Sequence, residues 1–310
     1  MSINYTPDNT FIFSFVRMNP PTPGHLFLIK TMIDKAIELG INKVYVITSS
    51  SLDGKNPLPC SNETIPKAKN KADAAIMNNL ISGNLAFKSQ ILNDMISSYK
   101  NQLINNETEL SKKNMIQNIN VIVLCSVGSP FGFVYNIINT DFIQKGIPKI
   151  NMFFIVGRDR ADFLDTIIDG FKSKDYINSI NGLVLEREGM EALKNTGLGK
   201  RSISEISQTE YSASFIRNLV KNNQKDEFIE VYSQYLSPDE IEKLYNTIKI
   251  GTQMKPPPSK EEDENPRSKY FDGGLLPVMG PSLGGNRRKK TKKNKITKRK
   301  KTKRHTRRYK

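Results

Sequence analysis

Residues 11–16 read FIFSFV, residues 24–40 read GHLFLIKTMIDKAIELG and residues 43–47 read KVYVI, and these three stretches decide the fold class. FIFSFV is a short, aromatic-rich apolar run that stops where prolines begin, as a buried strand does. The second stretch carries apolar residues at helical spacing and closes on Gly40, a natural helix terminator. KVYVI is then a second buried strand. A strand, a helix and a strand in this order imply parallel strands in one sheet, because the crossover is too long for a hairpin.

The alternation continues outward. The pattern predicts a helix over 87–103, a strand over 120–125 (NVIVLC), a helix over 133–142, a strand over 151–156 (NMFFIV) and a weaker strand over 182–185. Each strand is short and nearly all apolar, as strands covered on both faces are. The body is therefore expected to be a doubly wound α/β domain of Rossmann-like form with a parallel sheet. Residues 54–84, rich in Asn, Lys and Pro, read as an irregular excursion. After a polar loop at 195–209, helices are predicted over 212–221, 226–235 and 238–248, the last capped by Ser237. Residues 251–286 then form a Pro- and Gly-rich linker, and residues 287–310 a Lys/Arg-rich tail expected to be disordered. The domain is thus expected to occupy 1–250. No internal repeat of solenoid length is present.

With 310 residues, 37% hydrophobic, the chain has enough apolar mass for one or two globular domains. The net charge of +16 is local: residues 287–310 hold 16 of the 47 Lys and Arg and no acid, leaving 31 bases against 31 acids elsewhere. The body is neutral, so net charge does not make it a nucleic-acid binder. No apolar run is long enough to span a bilayer, and residues 1–10 lack the features of a signal peptide, so a soluble, cytoplasmic protein in a reducing compartment is expected. Cys60 and Cys125 lie far apart in sequence and the only histidines are His25 and His305, so the usual zinc ligands are not clustered. A mechanism needing a histidine has one candidate, His25.

The junction after the first strand reads Val16, Arg17, Met18, Asn19, Pro20, Pro21, Thr22, Pro23, Gly24, His25. A strand feeding a tight turn into a helix start exposes unpaired N–H groups at the positive end of the helix dipole, where phosphate is stabilised. Thr22 is the candidate N-cap with Pro23 at the first helical position. Gly24 permits close approach of a ligand, and His25 can donate into the same space. A histidine at a helix start also serves simply as a cap. Gly197, Gly199 and Ser202 give only G-x-G-x-x-S with no strand before it, and no G-K pair completes a P-loop, so dehydrogenase and P-loop readings are poor.

This stretch resembles the nucleotidylyltransferases with a T-x-G-H or H-x-G-H signature, especially nicotinamide-mononucleotide adenylyltransferases, in which it commonly reads G-R-F-N-P-P-T-x-G-H. The match holds at Arg17, Asn19, Pro20, Pro21, Thr22, Gly24 and His25, with Val16 and Met18 standing where the family favours glycine and phenylalanine. The family also has a second phosphate-binding helix start, I-S-S-T-x-I-R. Residues 211–217 read YSASFIR and place Ser212 and Ser214 on the hydroxyl positions and Arg217 on the arginine. A capped surface helix with a solvated arginine is the other reading of that stretch. Residues 156–163, VGRDRADF, resemble the family's V-G-x-D segment, which carries nucleotide contacts onto Gly157 and Asp159; a turn before an acid-capped helix is the alternative. Residues 48–50 and 55–58 sit where family members have substrate contacts, and Lys200 and Arg201 are expected to close over a triphosphate.

The resemblance implies transfer of a nucleoside monophosphate from a nucleoside triphosphate to a phosphate-bearing acceptor, with release of pyrophosphate and with Mg2+ carried by the nucleotide. His25, Thr22 and Arg217 would carry the catalysis, and Arg17, Asn19, Gly24, Gly157, Asp159, Ser212 and Ser214 would bind the nucleotide. ATP with nicotinamide mononucleotide is the expected pair. A cytidylyltransferase using CTP, or a weakly catalytic nucleotide-binding module tethered by the tail, are the alternatives. The tail itself would bind nucleic acid or another polyanion with strong salt dependence, or act in nuclear targeting. It looks like the terminal tracts of giant DNA virus proteins, which implies a viral source and a place in host cytoplasm or virion. No membrane contact is expected.

Overall fold

The computed structural model describes residues 5–68, 70–158, 161–185 and 211–254. Strand β1 (Thr10–Val16) leads through helix α1 (Pro23–Leu39) to β2 (Lys43–Ser49). A long connection carrying α2 (Lys71–Ser82), α3 (Lys88–Asn106) and α4 (Leu110–Asn118) reaches β3 (Asn120–Ser126). Helix α5 (Pro130–Asp141), β4 (Ile150–Gly157), α6 (Ala161–Phe171) and β5 (Ile177–Leu185) follow. Helices α7 (Ala213–Lys221), α8 (Lys225–Tyr232) and α9 (Pro238–Gly251) come last among the described residues.

The five strands are all parallel, in the order β3-β2-β1-β4-β5, the doubly wound α/β sheet that the apolar strand pattern predicts. Alternation along β1 divides its side chains between two cores. Phe11, Phe13 and Phe15 enter one layer with Phe154 of β4, Val134 and Ile138 of α5, and Ile167 and Phe171 of α6. Ile12 enters the other with Leu28, Ile29 and Met32 of α1, Ile91, Leu92 and Met95 of α3, and the inner faces of α7, α8 and α9. The Phe13 and Phe154 rings stack at 4.8 Å between centroids, a geometry that adds about 0.5–1.5 kcal/mol to the burial itself.

This winding positions the site. From β1 the chain moves outward to β2 and β3, then returns to β4 on the other side of β1. The crevice outside the carboxyl ends of β1 and β4 is the topological switch point, where ligands bind in open α/β sheets. The stretch from Arg17 to His25 leaves β1 into that crevice, and Gly157 ends β4 beside it.

The structure departs from the sequence expectations at several places. Cys60 and Cys125 are joined in a disulfide, with Cα atoms 5.8 Å apart across 65 residues of sequence. Two separate thiols in a reducing compartment were the expectation. The β2–β3 pairing carries Cys125 at the end of β3 to the loop that leaves β2, so sheet topology makes the contact. The 54–84 excursion contains a helix, α2, capped by the side chain of Asn70, and its Met77 and Leu80 pack with Leu52 and Met254 in a small separate core. Strand β5 starts at Ile177 rather than at 182, because Asn178 and Ser179 hide its beginning. Both donate to Oδ1 of the buried Asn151 at 2.8 Å. Among the described residues no helix is long and apolar enough to cross a membrane. The tail and all of the linker beyond residue 254 lie outside the described residues, as do Asp159, Lys200 and Arg201.

Candidate active site

Between β1 and α1 the chain makes a compact turn with a cis Asn19–Pro20 peptide bond and Met18 at φ 41°. Left-handed backbone at a non-glycine residue costs about 1–3 kcal/mol, and the buried Met18 side chain, in the core beside α1, opposes that cost. Thr22 follows in extended conformation as the N-cap of α1. It is fully buried, and its Oγ1 donates to the carbonyl oxygen of Tyr211 at 2.7 Å. Tyr211 immediately precedes Ser212, the N-cap of α7, whose Oγ accepts from the N–H of Phe215 at 3.1 Å. One hydrogen bond therefore ties together two helix starts that are 189 residues apart in sequence.

His25 completes the cap of α1. The N–H of Thr22 donates to its Nδ1 at 3.0 Å, which requires an unprotonated Nδ1. The neutral ring then carries its proton on Nε2, so the cap sets the tautomer in which Nε2 is a donor. Thr22 Oγ1 lies 2.9 Å from the same nitrogen.

Arg217 reaches from α7 back to the turn. Its Nη1 donates to the carbonyl oxygen of Asn19 at 2.5 Å and its Nη2 to Ser214 Oγ at 3.0 Å. Burial pushes its pKa down from the usual guanidinium value, the nearby Arg17 pushes it the same way, and Asp53 opposes both. Arg17 itself is exposed at the rim. Asn19 is a brace: its Nδ2 donates to the Leu58 carbonyl at 3.0 Å and its Oδ1 accepts from the Leu58 N–H at 2.9 Å. The side chain thus behaves as a strand neighbour for the 58–60 segment, although the family resemblance assigns it to the nucleotide. Buried Tyr232 adds a further brace, donating to the Pro21 carbonyl at 2.6 Å.

The turn after β2 supplies the other wall. Asp53 Oδ1 accepts from the N–H groups of Lys55 and Asn56 at 2.8 and 3.0 Å, forming a tight Asx-type turn that leaves Lys55 exposed. Thr48 Oγ1 donates to the Arg17 carbonyl at 3.1 Å. Among the described residues no group of three His, Cys, Asp or Glu side chains could hold a metal ion.

No protein-family model matches the sequence, and no curated protein matches it. Among solved structures the chain is similar to Plasmodium falciparum nicotinic acid mononucleotide adenylyltransferase complexed with NaAD, at 13% identity and a TM-score of 0.34, the match covering 78% of this chain and 98% of that one.

Of the residues singled out from sequence, the fold gathers Arg17, Asn19, Thr22, Gly24, His25, Ser212, Ser214 and Arg217 around the two helix starts, and sets Gly157 at the end of β4. Sequence reasoning missed Lys88 and Asp53. Lys88 had a readable signal: a lysine at the first position of a helix opposes the helix dipole and gains nothing there if solvated.

Proposed function

We propose that the chain is a nucleotidylyltransferase that moves a nucleoside monophosphate from a nucleoside triphosphate to a phosphate-bearing acceptor and releases pyrophosphate, with ATP and nicotinamide mononucleotide as the pair. The observation that carries this reading is the Thr22–Tyr211 hydrogen bond, which joins two helix N-termini beside the switch point and brings Arg217 across to the turn. Two helix N-termini and a guanidinium fit a chain of phosphates better than a single anion.

In the proposed reaction an anionic oxygen of the acceptor phosphate attacks the α-phosphorus, and the bond from that phosphorus to the bridging oxygen of the β-phosphate breaks. The attacking oxygen is already ionised near neutrality, so the chain supplies position and charge rather than a base. Nε2–H of His25 and the Gly24 N–H in the first turn of α1 donate to the oxygens of the α-phosphate, where charge shifts during transfer. Arg217 and the Ser212–Ser214 turn hold the departing pyrophosphate. Magnesium arrives with the triphosphate as part of the substrate.

The test is pyrophosphate release with magnesium, crossing ATP and CTP against nicotinamide mononucleotide, phosphopantetheine and phosphocholine. Turnover with ATP and the mononucleotide is expected. Turnover with CTP and phosphocholine would move the assignment to the cytidylyl branch. Absence of turnover with every pair would overturn the proposal.

A further inference from the structure

Lys88 opens α3 and is 0% exposed. Its Nζ donates to the carbonyl oxygens of Ser49 and, at 3.1 Å, Arg17, the groups that protrude at the carboxyl ends of β2 and β1. These bonds use two of the three ammonium protons. Among the described residues no carboxylate pairs with it. Charged or titratable groups on the elements packed around it are Arg17 after β1, His25, Lys30, Asp34, Lys35 and Glu38 on α1, Lys43 on β2, Asp53 and Lys55 in the following turn, and Asp94 and Lys100 on α3. Of these only Arg17, of like sign, perturbs it. Burial first, and Arg17 second, push the ammonium pKa down to about 7.

A buried ammonium with no counter-ion is costly unless a negative charge reaches it from outside the chain. The Arg17 carbonyl that it binds belongs to the turn that Arg217 also reaches, at Asn19, and among the described residues Asp53 is the acid whose field opposes Arg17 at Arg217. We propose that Lys88 is a proton-linked anion-binding residue, which takes up a proton as a phosphate-bearing ligand enters the crevice and then supports the ligand's charge from beneath the carboxyl ends of β1 and β2. The ligand class rests on the nucleotidyl-transfer reading, but the linkage does not require turnover.

The sign follows from the two states. An anion in the crevice raises the ammonium pKa above its free value, so between the two values the complex holds more protons than the free protein, and affinity falls as pH rises. The experiment is calorimetric titration of the full chain with magnesium-ATP at pH 8, in two buffers of widely different ionisation enthalpy, where a histidine of ordinary pKa is already neutral. Wild type is expected to take up close to one proton per nucleotide, and its Kd to weaken by up to about tenfold per pH unit above pH 7. Lys88→Arg, which keeps its charge, should bind with no uptake and with a flat pH profile. Lys88→Met should bind at least about tenfold more weakly, also without uptake. Wild-type binding without proton uptake would overturn the inference, as would uptake surviving in Lys88→Arg. Because the wild-type measurement alone can overturn it, a variant that fails to fold leaves the inference exposed to refutation. Turnover without uptake would remove the role of Lys88 and leave the transferase standing, whereas no binding of ATP, nicotinamide mononucleotide or pyrophosphate would sink both.

Discussion

Thr22→Val separates the two helix starts without opening a cavity, because valine has the shape of threonine and lacks only the hydroxyl. Thr22 is 0% exposed and Tyr211 5%, so the Tyr211 carbonyl would lose its 2.7 Å donor in a place where water does not easily replace it. Losing one buried hydrogen bond costs about 0.5–1.5 kcal/mol. Urea unfolding should therefore show a lower midpoint at unchanged slope. If the bond also sets the spacing between the two helix starts, the loss recurs in the transition state, and pyrophosphate release should fall by about 2- to 10-fold, at roughly 1.4 kcal/mol per tenfold. Thr22→Ser keeps the hydroxyl and should stay close to wild type in rate. A Thr22→Val protein with the expected stability loss but undiminished turnover would refute the claim that this bond assembles the site. Unchanged stability would refute the bond itself.

His25→Ala should lower turnover by about a hundredfold or more through loss of a donor at the α-phosphate, while unfolding stability drops only by about 1 kcal/mol for the lost cap; an unchanged rate would remove His25 from the mechanism. Cys60→Ser opens a loop of 65 residues, and chain-entropy reasoning puts the cost at about 4 kcal/mol. Denaturant curves with and without reductant should differ by a similar amount in wild type and not at all in the variant. At Gly251 an added Cβ would lie 2.1 Å from the Pro57 carbonyl oxygen, so Gly251→Ala should destabilise by about 1–3 kcal/mol by forcing backbone apart, read from a thermal melt. A melt equal to wild type would mean that the end of α9 does not press on the 56–60 segment.

The elements that could be read directly are those whose own side chains carry the reason for them. FIFSFV is a strand because every position along it meets a covered face, and α1 ends at Gly40 because the chain turns left-handed there, at φ 64°. Helix α2 and the start of β5 were hidden for the complementary reason. Asn70 and Asn178 are polar, and their roles, capping α2 and bonding to Asn151, appear only when the partner is known. The site divides in the same way. Thr22, His25 and Arg217 stand in motifs that could be recognised along the chain, and the His25 cap is a local contact, but nothing local says that Thr22 meets Tyr211 or that Arg217 lands on the Asn19 carbonyl.

By itself the sequence determined the α/β alternation, the strand cores and a capped helix start after the first strand, because each is a short-range pattern of apolar spacing, proline and glycine. Tertiary structure decided what meets at that start. The parallel order β3-β2-β1-β4-β5 brings Cys125 to Cys60. Packing of α7 brings Tyr211 to Thr22, and packing of α3 seals Lys88 beneath two strand ends, with no carboxylate partner among the described residues. Those are contacts between residues tens to hundreds of positions apart, and their energies depend on burial and on the fields of neighbours, which exist only once the sheet has formed.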